Sequence, residues 1–125
     1  MWQYKQSTGE LFNDAGEKVA TGYAGGNCGA NPEGVNNPDL QNARKIGPLP
    51  RGAYTFGIPL MNSHLGPFAI PLNPNPANEM EGRSAFYMHG DTTPSGNASE
   101  GCIIMPRATR QACWNSKDHT LTVVQ

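Results

Sequence analysis

His89 and Cys102 lie thirteen positions apart, in Phe86-Tyr87-Met88-His89-Gly90-Asp91 and Ser99-Glu100-Gly101-Cys102-Ile103-Ile104. A thiol is a strong nucleophile only as thiolate, and an imidazole within reach can take its proton. Gly101 removes a side chain beside Cys102, where a substrate must approach closely. The backbone N–H groups around Cys102 are candidates for an oxyanion hole, worth about 3 kcal/mol per donor in other enzymes. This pattern points to acyl transfer through a cysteine. The competing reading makes Cys102 a small buried hydrophobe in Cys102-Ile103-Ile104-Met105 and His89 a hydrogen-bonded structural residue. Thiol labelling separates the two, because a poised nucleophile is expected to react below the ordinary thiol pKa of about 8.5.

The elements that must position this pair are short. The apolar run Ser84 to Met88 reads as a buried strand ending at His89, and Thr92 to Ala98 is a turn-forming loop that folds back toward it. Trp2 to Gln6 and Glu10 to Phe12 read as an opening hairpin, and the Asn13–Gly16 turn leads into a strand over Lys18 to Tyr23. Gly25 to Gly34 has no periodicity and reads as a surface loop. Asn37-Pro38-Asp39 is a cap, a first-turn proline and an acidic first turn, so Asp39 to Lys45 is predicted as a short helix. The rigid Gly47–Gly52 turn aims Ala53 to Ile58 into a strand, and Asn73 to Pro76 is another loop. Pro106 opens a second helix, Arg107 to Trp114, and Leu121 to Val124 is a closing strand.

A chain of 125 residues fits one domain, residues 1–125, and buries about two-thirds of its unfolded surface. With 15 Gly and 11 Pro it favours short strands over long helices, so the predicted fold class is mainly β. A net charge of −1 gives no basic footprint for nucleic acid. No apolar run is long enough to span a membrane. Met1 to Lys5 shows no secretory signal, so the expectation is a protein made in the cytoplasm and carried out by another route. Three cysteines are too few for a disulfide scaffold, and no His or Cys spacing suggests zinc, so neither metal nor cofactor is expected. Cys28 and Cys113 are read as isolated thiols or, in an oxidising compartment, as a pair.

Tyr87-Met88-His89-Gly90-Asp91 followed by Ala98-Ser99-Glu100-Gly101-Cys102-Ile103 resembles the signature of L,D-transpeptidases. It most resembles the type VI secretion L,D-transpeptidase effectors, toxins that act on a rival bacterium's cell wall. Supporting segments are Trp2 to Leu11, Thr21 to Gly25, Asn36-Asn37-Pro38, Gly47 to Tyr54 and Pro106-Arg107-Ala108. The resemblance implies a compact β-sandwich-like domain with short helices. It also implies an L,D-carboxypeptidase or L,D-transpeptidase acting on tetrapeptide stems of peptidoglycan, with D-amino acids as possible acceptors. Cys102 would attack the carbonyl of diaminopimelate, His89 would move the proton, and Gly101 would stand in the catalytic turn.

Partners implied in the same way are a secretion-machine component and a cognate immunity protein, with delivery to the target-cell periplasm. Where common L,D-transpeptidases continue with Arg after Gly-Cys-Ile, this chain has Ile104, so Arg83 or Arg107 is the expected carboxylate clamp. Gly90 and Asp91 follow the histidine. Asp91 would orient His89, hold the diaminopimelate amine, or stabilise its own loop as an Asx turn. Ser99 would bond the His89 ring or shape the turn before Cys102. A second reading keeps the fold without the chemistry, as a module that binds peptidoglycan or the secretion spike.

Overall fold

Alternation of buried and exposed residues in short segments dictates the architecture, as in Trp2 and Tyr4 on the first strand and Leu121 and Val123 on the last. The computed structural model describes all 125 residues. Its strands are β1 (Trp2–Lys5), β2 (Glu10–Phe12), β3 (Lys18–Thr21), β4 (Tyr23–Ala24) and β5 (Gly52–Phe56). They continue with β6 (Ile70–Pro74), β7 (Phe86–His89), β8 (Ile103–Ile104) and β9 (Thr120–Val124). One helix, α1 (Arg107–Asn115), precedes β9. The mainly-β expectation holds.

All nine strands belong to one sheet, in the order β3-β2-β1-β9-β5-β6-β7-β8-β4. β3 and β4 stand at its two ends, yet only Gly22 separates them in the chain. The sheet must therefore curl until its edges nearly meet. A Cβ at Gly22 would run into the Ile104 carbonyl, so only glycine fits this crossing. Inside the curl, Trp2, Tyr4, Leu11, Tyr54, Ile70, Met88, Ile103 and Leu121 form one continuous core.

Three elements differ from the sequence expectation. The strand expected over Lys18 to Tyr23 is broken at Gly22 into β3 and β4, at opposite ends of the sheet. The helix predicted over Asp39 to Lys45 is a single 3-10 turn, Pro38–Leu40. Its start is as expected, with the Asn37 side chain accepting from Asp39 N–H at 3.1 Å. It stops because the Gln41 carbonyl, which a helix would offer to Lys45, accepts from Arg83 Nη1 at 2.7 Å instead. The strand β6 carries Pro71 in its middle and was hidden by it, since proline removes a ladder donor. Its Pro71 carbonyl still accepts from Gly57 N–H at 2.8 Å.

Candidate active site

β7 and β8 run parallel, with Met88 beside Ile103 and His89 beside Ile104. This register sets Cys102 level with Tyr87, two residues before His89 on the neighbouring strand, and all three line one cavity. The loop before Cys102 is fixed at every carbonyl. Ser99 O accepts from Cys28 N–H at 3.0 Å and Gly101 O from Leu49 N–H at 3.0 Å. Glu100 O accepts from Arg83 Nη2 at 3.1 Å, and Cys102 O from the Ser99 hydroxyl at 2.6 Å. Such a loop is preorganised before any substrate arrives.

Ser99 is fully buried, and its oxygen also accepts from Gly25 N–H at 2.8 Å and Gly101 N–H at 3.0 Å. It shapes the turn and makes no hydrogen bond to the imidazole. Gly101 has φ +129, and a Cβ there would sit 2.5 Å from Arg83 Nη2 and 2.7 Å from Phe86 Cε1. The missing side chain makes room for Arg83 and Phe86, where the sequence suggested room for substrate. With its N–H spent on Ser99, Gly101 is no oxyanion donor as the loop stands. The N–H of Cys102 has no partner and is the free donor at this position.

His89 is buried, and its Nδ1 lies 2.9 Å from the Gly90 carbonyl. That carbonyl can only accept, so Nδ1 carries the proton and Nε2 is left as the base. Burial lowers the His89 pKa from 6.5, and the nearby Arg110 and His64 charges lower it further. The imidazole is therefore neutral at pH 7. Cys102 Sγ accepts from Tyr87 N–H at 3.4 Å. Burial pushes its thiol up to about 11, against the smaller pull of the Tyr87 N–H and the Arg83 charge. As the two side chains stand, the pair is a thiol and a neutral imidazole.

Cys102 and His89 open onto one cavity of about 380 Å³, together with His64, Tyr87, Cys28 and Glu100. No hydrogen bond joins the two, and the cavity lies open to both. His64 reaches it from the loop between β5 and β6, a position that no motif in the sequence marked. Cys28 lies exposed at this cavity while Cys113 is on the buried face of α1, and the two are not bonded.

A second cavity, of about 290 Å³, also reaches Cys102 and is lined by Arg44, Lys45, Arg83 and Phe86. Arg83 is buried, and its terminal nitrogens donate to Gln41 O, Pro48 O, Gly47 O and Glu100 O. A guanidinium so occupied has no free fork for a carboxylate. Arg83 instead ties the chain around residues 41–48 to the loop before Cys102. Arg107 is exposed and lines a third cavity with Gly90 and Asp91, which neither Cys102 nor His89 borders. Asp91 accepts from Tyr23 Oη at 2.6 Å, Ser95 Oγ at 2.6 Å and Thr92 N–H at 2.8 Å. Its carboxylate organises the 91–98 loop, and the Gly90 carbonyl, not Asp91, fixes the His89 ring. No group of three or more His, Cys, Asp or Glu side chains is arranged to hold a metal ion.

A curled, mainly-β domain that presents a cysteine and a histidine to one cleft defines the class of protein to which this chain is to be compared. The family model described as the Tlde1 domain matches residues 21–125. The chain belongs to this family, the type VI secretion L,D-transpeptidase effectors. No curated protein and no solved structure matches it. Membership makes it an effector delivered to target cells, with secretion machinery and an immunity protein as its partners. No helix is long and apolar enough to cross a membrane.

Proposed function

We propose that this chain is a cysteine acyl-transferase that cuts peptidoglycan stem peptides, as an L,D-carboxypeptidase or by D-amino-acid exchange, in the target-cell periplasm. The observation that carries this reading is the shared cavity of Cys102 and His89, with His89 held so that Nε2 is its free base. Substrate enters between them. His89 Nε2 takes the thiol proton as Sγ attacks the carbonyl carbon, and the carbonyl oxygen gains negative charge facing the unpartnered Cys102 N–H. The C–N bond then breaks, and His89 gives its proton to the leaving amine of D-alanine. Water, or the amine of a second D-amino acid, repeats the sequence in reverse on the thioester, with His89 again the base.

A thiol held near 11 fits this order of events, because proton transfer accompanies attack. The alternative is a domain of the same fold that binds peptidoglycan or a secretion spike without cutting it. One measurement decides between them: mass spectrometry of disaccharide-tetrapeptide after incubation with the protein. Loss of D-alanine, or its replacement by an added D-amino acid, is the expected result. An unchanged tetrapeptide at long incubation would leave only the binding reading.

A further inference from the structure

Arg44 and Lys45 are the only adjacent cationic residues in a chain with nine Lys and Arg and a net charge of −1. Both are exposed, and both line the second cavity that reaches Cys102. Neither enters an ion pair, since those join Met1 to Asp14 and Asp118, and Lys18 to Glu10. Their charges are therefore unspent. Lys45 also sits at φ +68, a left-handed conformation that a lysine rarely adopts without a surrounding structure to enforce it.

That enforcement is visible. Ile46 O accepts from Gly26 N–H at 2.7 Å, and Ala43 O accepts from Gly47 N–H at 3.0 Å. Arg83 then fastens both flanks of the turn, at Gln41 and Gly47, and the Glu100 carbonyl before Cys102. The two cations and the nucleophile are thus parts of one rigid frame.

Direction follows from His89. It borders the other cavity, so the amine it protonates leaves on that side. The acyl-donor half of the peptide then lies toward Arg44 and Lys45. We infer that Arg44 and Lys45 form an anion subsite that takes a free carboxylate of the acyl-donor half of the substrate. Glu100 stands between the two cavities, with its carboxylate bonded only to the Cys28 thiol at 3.8 Å. It marks the boundary of the subsite, where a donor ammonium fits and a further carboxylate does not. This assignment rests on the stem-peptide reading above, and it replaces Arg83 and Arg107 as carriers of carboxylate recognition.

The test uses the full chain, its Arg44→Gln and Lys45→Asn double variant, and an Arg44→Glu variant. Asparagine is chosen at Lys45 because it tolerates the left-handed conformation. Cys102 alkylation is followed by peptide mass spectrometry with anionic iodoacetate and neutral iodoacetamide. The iodoacetate-to-iodoacetamide rate ratio is expected to fall about 5-fold in the double variant and further in Arg44→Glu, and to fall in wild type as salt shortens the screening length below ~10 Å. In parallel, KM for D-alanine release is compared between tetrapeptide with free donor carboxylates and its amidated counterpart. Amidation is expected to raise the wild-type KM about 10-fold, with little further effect in the double variant. A ratio and a KM preference identical in wild type and double variant would overturn the subsite and leave the function standing. A wild type that releases no D-alanine from either peptide would overturn the function, and the alkylation ratio would still decide the subsite.

Discussion

In the proposed mechanism two side chains carry the chemistry, and each has a distinct signature when altered. Cys102→Ala exchanges one small half-buried group for another, so the thermal midpoint is expected to stay close to wild type while D-alanine release disappears. Turnover by that variant would remove Cys102 from the mechanism. His89→Ala is expected to slow turnover by about 100-fold, the usual loss on removing a general base. Because burial lowers the His89 pKa, the base remains available below pH 6.5. The sign is clear: activity requires the neutral ring, is complete above 6.5, and is lost as pH falls through the depressed value. The acid limb of kcat/KM is thus expected below pH 6.5, and a limb above 7 would contradict the buried geometry. The thiol gives the matching alkaline prediction, since alkylation of Cys102 is expected to keep rising to about pH 11 instead of levelling near 8.

At the scale of elements, the loop from Ser99 to Cys102 is held by a hydrogen bond at each of its carbonyls. Ser99→Ala would strand the buried N–H groups of Gly25 and Gly101, each worth about 1–3 kcal/mol when left without a partner. A clear drop in the urea midpoint, accompanied by slower turnover, is the expected outcome; an unchanged midpoint would mean that the hydroxyl does not hold the turn. Much of this level was readable beforehand. The opening hairpin, the strand ending at His89, the helix after Pro106 and the closing strand all follow from alternation, turn residues and a first-turn proline. What escaped was decided by contacts between distant residues. Arg83 takes the Gln41 carbonyl and so truncates a helix whose cap and proline were correctly placed. Pro71 hides a strand whose neighbours supply its register. His64, Arg44 and Lys45 carry no local pattern, and only the folded sheet brings them to Cys102.

For the whole molecule, the proposed cell-wall activity implies action outside the inner membrane of the target cell. An expression experiment tests this. Directed to the periplasm by an added signal peptide, the protein is expected to cause swelling or lysis, whereas the Cys102→Ala form directed there, and the wild type kept in the cytoplasm, are expected to be harmless. Equal killing by the cytoplasmic form, or by the Cys102→Ala form, read by plating and microscopy, would contradict a wall-directed activity. The sheet order has a further consequence, for the timing of synthesis. β9 pairs in parallel with β1 along Trp2 to Lys5 and antiparallel with β5 along Gly52 to Thr55, so it is the seam between the first hairpin and the strands that carry the active site. Until Thr120 to Val124 have left the ribosome, β1 and β5 lack the strand that lies between them. Pairing of such distant segments is slow and comes late. The ladders that β9 makes with β1 and β5 therefore form after the strands bearing Cys102 and His89 have been translated, and close the sheet from the side away from the cleft.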